Sequence, residues 1–174
     1  MSQIVPIGLD LYNGAIGIAL FLAAAARTRA DPAALTLAHR ALAPVVGAIT
    51  SENRHRLIRL MGSGGYLGVG SLVYGLTAIA ELLPRGEETL DCAKLAARLL
   101  DPVTLDTDDR LDLVSGSAGA LLAVLKLYRV TGDAVFLDQA QTIGEGLLKR
   151  ARQDNMPWTS AVFDHQPLTG LSHG

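Results

Sequence analysis

The sequence predicts an all-α protein built from repeated pairs of helices. A short glycine-containing cassette occurs four times, at residues 10–17, 65–71, 112–119 and 170–174. The equivalent glycines of the four copies are Gly14, Gly68, Gly116 and Gly174. Their spacings of 54, 48 and 58 residues are typical of repeat architectures. Because each of the first three cassettes opens an apolar run that is followed by a turn and a more polar run, the pattern predicts about three helical hairpins.

Turn and capping signals set the expected bounds of the helices. Asp31 before Pro32, and Asp133 before Ala134, are expected to be N-caps. Pro44 is expected to end or kink its helix early, because proline removes a backbone hydrogen bond. The predicted helical segments are Ala15–Ala26, Pro32 to about Thr50, Val69–Leu83, Leu90–Leu100, Ser117–Val130 and Ala134–Arg152.

The two helices of each pair differ in composition. First helices, such as the segment Ala118–Leu125, are apolar nearly all round, which indicates burial on most sides. Second helices carry charges on part of their surface, for example Glu145 and Lys149, and are predicted to be half exposed. The composition therefore predicts an inner ring of helices inside an outer ring.

The cassette glycines are interpreted as packing and turn residues. At the start of an inner helix, glycine lets two backbones approach closely and permits turns with positive φ. A phosphate cradle is the rival interpretation, but no cassette has the lysine of a P-loop and none follows a convincing strand. The glycines concerned are Gly14, Gly17, Gly68, Gly70, Gly116 and Gly119.

Composition excludes several classes of partner. A formal net charge of -2 and 5% aromatic residues give no basis for binding nucleic acid. The uninterrupted apolar run Ala15–Ala26 is too short to span a bilayer, so we expect no integral membrane segment. No basic residue precedes Arg27, which argues against a signal peptide. The single cysteine, Cys92, excludes an internal disulfide framework and is compatible with a cytoplasmic protein.

In the order and spacing of its cassettes, the chain resembles the C-terminal cyclase domain of class II lanthipeptide synthetases, the LanM type, which is related to stand-alone LanC cyclases. The resemblance runs from about residue 8 to the end of the sequence. Four segments carry it: residues 10–22 (DLYNGAIGIALFL), 68–76 (GVGSLVYGL), 112–119 (DLVSGSAG) and 167–174 (PLTGLSHG).

The resemblance implies an α/α toroid, a double ring of which residues 1–174 form an incomplete part. It implies that the full-length enzyme cyclises a lanthipeptide precursor peptide by adding cysteine thiols to dehydroalanine or dehydrobutyrine. It also implies a Zn²⁺ ion held mainly by cysteines of later cassettes. Since one cysteine cannot supply a zinc ligand set, we expect neither bound zinc nor cyclase activity from these residues by themselves.

Two residues are the candidate catalytic groups. By the resemblance, His173 is the acid that protonates the enolate or the base that takes the thiol proton, and imidazole can do either near neutral pH. Asp112 matches an acidic position of the third cassette, which implies a role in orienting or polarising the histidine. Both residues lie at the mouth of an inner helix, where a toroid brings distant residues together. Asp10 holds the position of Asp112 in the first cassette and is expected to be structural.

The other chemically capable residues are expected to be structural or solvated. Cys92 is interpreted as a small packing residue of an outer helix, and Trp158 as packing before the fourth cassette. Arg54, Arg56 and Arg59 form a basic cluster that could meet an acidic leader peptide, although a solvated loop is the simpler interpretation. The remaining histidines are His39, His55 and His165.

Two other functions stay open at the level of the sequence. One is a LanC-like protein that binds a peptide or thiol without catalysis. The other is an unrelated α/α-toroid enzyme such as a glycosidase, which requires a pair of carboxylates across its cavity. Asp112 has no obvious second acid, so this last alternative is the weakest.

Overall fold

The computed structural model describes residues 6–102, 105, 108–153 and 170–173 of the chain. Within these residues it contains seven α-helices and no β-strand, which confirms the predicted all-α class. The helices are α1 (Ala15–Arg29), α2 (Pro32–Thr50), α3 (Arg56–Met61), α4 (Val69–Leu82), α5 (Glu87–Ala97), α6 (Ser117–Thr131) and α7 (Ala134–Gln153).

The helices form three hairpins arranged in two layers, as expected for part of a double helical ring. The hairpins are α1/α2, α4/α5 and α6/α7. Their first helices contact one another in chain order, α1 against α4 and α4 against α6, whereas each second helix packs mainly on its own first helix. One hydrophobic core runs through all three hairpins, and its fully buried side chains include Ile16, Leu72, Leu76, Val124 and Leu127.

Each inner helix begins with the same backbone hydrogen bonds. The amide after the cassette glycine donates to the carbonyl six residues before that glycine: Ala15 to Gly8 at 2.8 Å, Val69 to Gly62 at 2.8 Å and Ser117 to Arg110 at 3.0 Å. The first amides of a helix have no partner within the helix, and here the preceding loop supplies one. These amides are therefore already bonded, which favours the packing interpretation of the cassettes over a phosphate cradle.

Glycine is required at the cassette positions because the preceding loop approaches the start of the helix closely, and not because φ is positive there. Gly14, Gly68 and Gly116 have φ of -117°, -100° and -124°, which other residues adopt readily, so the expected positive φ is wrong for them. A Cβ on Gly14 would lie 2.7 Å from the Gly8 oxygen, and one on Gly68 would lie 2.7 Å from the Gly62 oxygen. On Gly116 it would collide with the Arg110 oxygen. Any side chain at these positions would push the loop off the helix.

Successive cassettes are joined by a chain of backbone hydrogen bonds, which we call the cassette belt. The residue two before each cassette glycine donates to the equivalent residue of the next cassette. Tyr12 donates to Tyr66 at 3.2 Å, Tyr66 to Val114 at 3.1 Å and Val114 to Ser172 at 3.3 Å. The fourth cassette, described over residues 170–173, thus occupies the same register as the other three.

The expected N-caps of the outer helices are confirmed. The Asp31 carboxylate accepts hydrogen bonds from the amides of Ala33 at 2.8 Å and Ala34 at 3.2 Å. The Asp133 carboxylate accepts one from the amide of Val135 at 3.2 Å. Each aspartate satisfies amides that the first helical turn leaves unpaired.

Pro44 neither ends nor shortens its helix, so the expectation of an early end is wrong. Helix α2 continues through Pro44 to Thr50. Pro44 lies on the exposed side, while Leu42, Val45 and Ile49 on the other side are buried in the core. Burial of this apolar face offsets the hydrogen bond that proline removes.

Further helix bounds differ from expectation: α1 ends at Arg29 rather than Ala26, and α4, α6 and α7 end within one residue of the predicted positions. Helix α5 begins at Glu87 rather than Leu90, because Glu87 and Glu88 in its first turn interact favourably with the helix dipole. It ends at Ala97 and not at Leu100. The short helix α3 was not predicted, since its six residues are too few to show a helical period.

The outer flanks of the inner layer are apolar and uncovered by the described residues. On α1, Ile18 and Phe21 are exposed, Phe21 by 71%. The equivalent positions of α4, Leu72 and Gly75, are buried, and a Cβ on Gly75 would meet the Ile16 side chain of α1. On the opposite flank, Leu121 of α6 is half-buried, whereas its α4 equivalent is buried. The middle inner helix, α4, has a neighbouring inner helix on each flank. The end helices α1 and α6 each have one flank without such a neighbour among the described residues.

Among the described residues, α2 is long and apolar enough to cross a membrane by length and composition. Core helices of globular proteins meet the same criterion. Helix α2 packs along α1, buries Ala38 and Leu42, and carries His39 and Arg40 on its exposed side. These contacts are those of an outer-layer helix.

The close approach at the cassettes is testable with two glycine substitutions. Gly116→Ala should lower the free energy of unfolding by about 1–3 kcal/mol, the usual cost of forcing atoms into a packed site. Gly144→Ala in α7 is the control, because a Cβ there meets no described atom within 4 Å and should stabilise the helix by about 1 kcal/mol. Urea denaturation measures both. Equal effects of the two substitutions would contradict the packing role of Gly116.

Candidate functional site

The structure brings His173 and Asp112 together at the rim of the inner layer. His173 Nδ1 lies 3.5 Å from Asp112 Oδ2. The Asp112 side chain is 2% exposed and that of His173 is 25% exposed. The imidazole is thus reachable from solvent while its Nδ1 is buried beside a carboxylate.

The cassette belt explains why these two residues meet. The bond from Val114 to Ser172 sets the third and fourth cassettes side by side. In this register, the residue four before one cassette glycine lies against the residue one before the next. The preceding junction shows the same approach, since a Cβ on Gly64 would lie 2.5 Å from the Cα of Ser115. Asp112 and His173 are the pair that follows from the same rule one repeat later.

Asp112 also holds its own loop, as Asp10 does in the first cassette. Asp112 Oδ1 accepts a hydrogen bond from the Ser115 amide at 2.6 Å. Asp10 Oδ1 accepts from the amides of Tyr12 and Asn13, both at 3.0 Å. The two aspartates therefore share one loop-forming contact, while Oδ2 of Asp112 additionally faces an imidazole. The expectation of a structural aspartate at Asp10 agrees with these contacts.

A half-buried carboxylate, that of Asp108, braces this rim although the sequence did not indicate it. Asp108 Oδ2 accepts hydrogen bonds from the Ser63 hydroxyl at 2.7 Å and the Ser63 amide at 3.3 Å, and Oδ1 pairs with Arg110 Nε at 2.8 Å. Burial alone would raise the pKa of Asp108, but the hydrogen bonds from Arg110 and Ser63 and the Arg110 charge outweigh it and lower that pKa. Asp108 thereby ties the loop that carries Asp112 to the second cassette. No spacing rule singles out this residue among its neighbouring acids.

Cys92 lies away from this rim, on the outer helix α5, and is buried. Burial raises the pKa of its thiol, and the negative charges of Asp91 and Glu88 raise it further. The thiol is therefore protonated at neutral pH, as suits a small packing residue.

Those of the remaining candidates that the structure describes are solvent-exposed. His39 and His55 are exposed. The basic cluster Arg54, Arg56 and Arg59 is exposed on and before α3, so part of the expected loop is a short helix. Trp158 and His165 lie outside the described residues.

The described residues do not fit a zinc site. Across them, no group of three or more histidine, cysteine, aspartate or glutamate side chains is placed to hold a metal ion. Cys92, the single cysteine of the sequence, is buried in the outer layer. These residues by themselves therefore offer no ligand set for a zinc ion.

The fold and the rim define a class of protein: an all-α repeat protein with two helical layers and a histidine–carboxylate pair at the mouths of its inner helices. The family of lanthionine synthetase C-like proteins matches residues 5–174. The chain therefore belongs to the LanC-like family, whose members are associated with lanthionine cyclase activity. No curated protein matches the sequence.

The brace at Asp108 predicts a pH-dependent stability. Its folded pKa is lowered, so its contribution is present above the unfolded value of about 3.9 and is lost as pH falls through the folded pKa. Asp108→Asn should lower the free energy of unfolding at pH 7 by about 1.5–3 kcal/mol, the usual worth of hydrogen bonds to a charged group. The deficit should shrink below about pH 4.

Denaturation at pH 7 and below about pH 4 measures the effect of Asp108→Asn. Substitution of the exposed neighbour Asp109 is the control. Asp109→Asn should leave stability unchanged at either pH. A deficit in Asp108→Asn that is the same at acidic and neutral pH would show that its charge contributes nothing.

Proposed function

We propose that this chain is part of the cyclase domain of a class II, LanM-type lanthipeptide synthetase. Such an enzyme forms thioether rings in a precursor peptide. The observation that carries the proposal is the 3.5 Å contact between His173 Nδ1 and the buried carboxylate of Asp112 in a chain of the LanC-like family. A partly exposed imidazole beside a buried carboxylate is suited to moving a proton.

The proposed reaction adds a cysteine thiol across the double bond of a dehydroamino acid. A C–S bond forms at the β-carbon, the π electrons move onto the α-carbon and its carbonyl as an enolate, and a proton adds to the α-carbon. The thiol loses one proton and the α-carbon gains one, so no redox partner is required. Proton transfer by a positioned side chain contributes about 10²–10⁴-fold to such steps.

In this proposal, His173 transfers the proton and Asp112 positions the imidazole of His173. Because Nδ1 is turned toward Asp112 Oδ2, Nε2 is the nitrogen that faces away from the carboxylate and meets the substrate. The carboxylate stabilises the imidazolium that exists between proton uptake and proton release. The bond from Asp112 Oδ1 to the Ser115 amide fixes the carboxylate, so that the imidazole is held by a rigid group.

Two features support a larger cyclase. The exposed flank of α1 at Ile18 and Phe21, and the half-buried flank of α6 at Leu121, are suited to contact with further helical pairs. Zinc ligands would have to come from such repeats, because the described residues do not supply them. We further propose that residues 1–174 by themselves lack cyclase activity, and that the enzyme is cytoplasmic.

Replacing His173 tests the proposal directly. In the full-length enzyme, His173→Ala should reduce thioether formation by about 10²–10⁴-fold, while helix content and metal content stay unchanged. Mass spectrometry after thiol alkylation measures the rings in a dehydrated precursor peptide. An unchanged cyclisation rate would remove His173 from the mechanism and favour a LanC-like protein that binds without catalysis.

The two equivalent aspartates provide a matched pair of variants. Asp112→Asn keeps an oxygen for the Ser115 amide but removes the charge beside His173, and it should slow cyclisation on the order of 10–100-fold, as loss of an orienting partner of a functional histidine does. Asp10→Asn makes the same change in the first cassette and should leave the rate unchanged. The pH–rate profile should also shift in Asp112→Asn only. Equal rates and profiles in the two variants would show that Asp112 is merely a loop residue.

A further inference from the structure

A cavity opens between α4 and α6, directly beside the third cassette. Its volume is about 250 Å³, and its lining includes Gly65, Tyr66, Tyr74, Leu113, Gly119 and Leu122. Tyr74 is 40% exposed although the rest of residues 69–77 is buried, and Leu122 is 53% exposed. These two residues occupy equivalent positions on neighbouring inner helices, six after the cassette glycine. Both face the side of the inner layer that no described helix covers.

The floor of the cavity depends on two glycines in contact. A Cβ on Gly65 would lie 2.9 Å from the Cα of Gly119, and one on Gly119 would collide with the Leu113 oxygen and the Gly65 amide. At the junction of α1 and α4, the equivalent positions hold Leu11 and Ser71. The glycine floor is therefore a feature of the junction that also carries Asp112.

The cavity is rigidly connected to the candidate catalytic pair. Leu113, which lines it, directly follows Asp112, and its carbonyl accepts a hydrogen bond from the Gly65 amide at 3.0 Å. Tyr66, another lining residue, donates its amide to Val114 at 3.1 Å. A group bound in the cavity thus lies against the same loop that holds the carboxylate beside His173.

The chemistry of the lining selects an uncharged, largely apolar group. The lining carries no charged side chain, and its polar side-chain atoms are the hydroxyls of two tyrosines. The closest charges farther along these helices, Glu81 on α4 and Lys126 on α6, form an ion pair with each other. An aliphatic or aromatic side chain would bury apolar surface here without losing a polar partner.

We propose that this cavity is a substrate subsite that holds an apolar side chain flanking the reacting cysteine of the peptide. The inference rests on the proposed function for the identity of the ligand as a peptide. The subsite places the thiol at the His173–Asp112 rim by binding its neighbour. It makes Leu122 and Tyr74 specificity-determining residues.

The test uses two synthetic peptides, each with one dehydroalanine and one cysteine, whose cysteine is flanked by leucines in one and serines in the other. The full-length wild-type enzyme should cyclise the leucine peptide with a kcat/KM about 10-fold higher. Leu122→Ser should abolish this preference, mainly through KM, and Leu122→Met should retain it. Leu148→Ser on α7, where the leucine is 55% exposed, is the matched control and should keep the wild-type preference.

A binding measurement separates failure of the subsite from failure of the proposed function. The same peptides with alanine in place of dehydroalanine are titrated by calorimetry, and circular dichroism confirms that each variant is folded. Loss of the leucine preference in binding by Leu122→Ser, without cyclisation by any variant, would support the subsite and contradict the cyclase. A wild-type protein with no leucine preference, or a preference unchanged by Leu122→Ser, would overturn the subsite whatever the rate of cyclisation.

Discussion

The cassette belt is the interaction on which the rest of this structure depends. Each link runs between equivalent residues of consecutive cassettes, Tyr12 to Tyr66, Tyr66 to Val114 and Val114 to Ser172. Backbone hydrogen bonds do not depend on the side chains at those positions, so the belt keeps one geometry while the residues around it change. It also brings the starts of the inner helices to a common rim, where side chains far apart in sequence become neighbours.

The candidate site arises from this repetition. The position four before the cassette glycine holds Asp10, Gly64 and Asp112 in the first three cassettes, and the position one before it holds Ser115 and His173 in the last two. An aspartate in the first of these positions has a structural use, because it accepts amide hydrogen bonds from its own loop. The third and fourth cassettes add a histidine beside such an aspartate. A loop that serves folding elsewhere thereby presents a fixed carboxylate next to a partly exposed imidazole.

Much of the architecture was predictable because hairpins, caps and apolar runs are local properties. Asp31 and Asp133 cap their helices as expected, since an N-cap needs only its next few residues. Pro44 was misjudged because its effect depends on what the other side of α2 buries. Asp108 was not found because its partner Ser63 lies 45 residues earlier and meets it only in the folded chain. The cavity at Gly65 and Gly119 was missed for the same reason.

The sequence by itself determined the helical class, the repeat, the order of inner and outer helices and the choice of His173 and Asp112 as candidates, because these are encoded in spacing and residue type. Only the tertiary structure decided that a glycine is needed for close approach at negative φ, that Asp108 braces two cassettes, and that the α4/α6 junction opens into a cavity. The brace at Asp108 and the cavity are set by distances between segments about fifty residues apart. They depend on how the belt sets one repeat against the next, which no local pattern encodes.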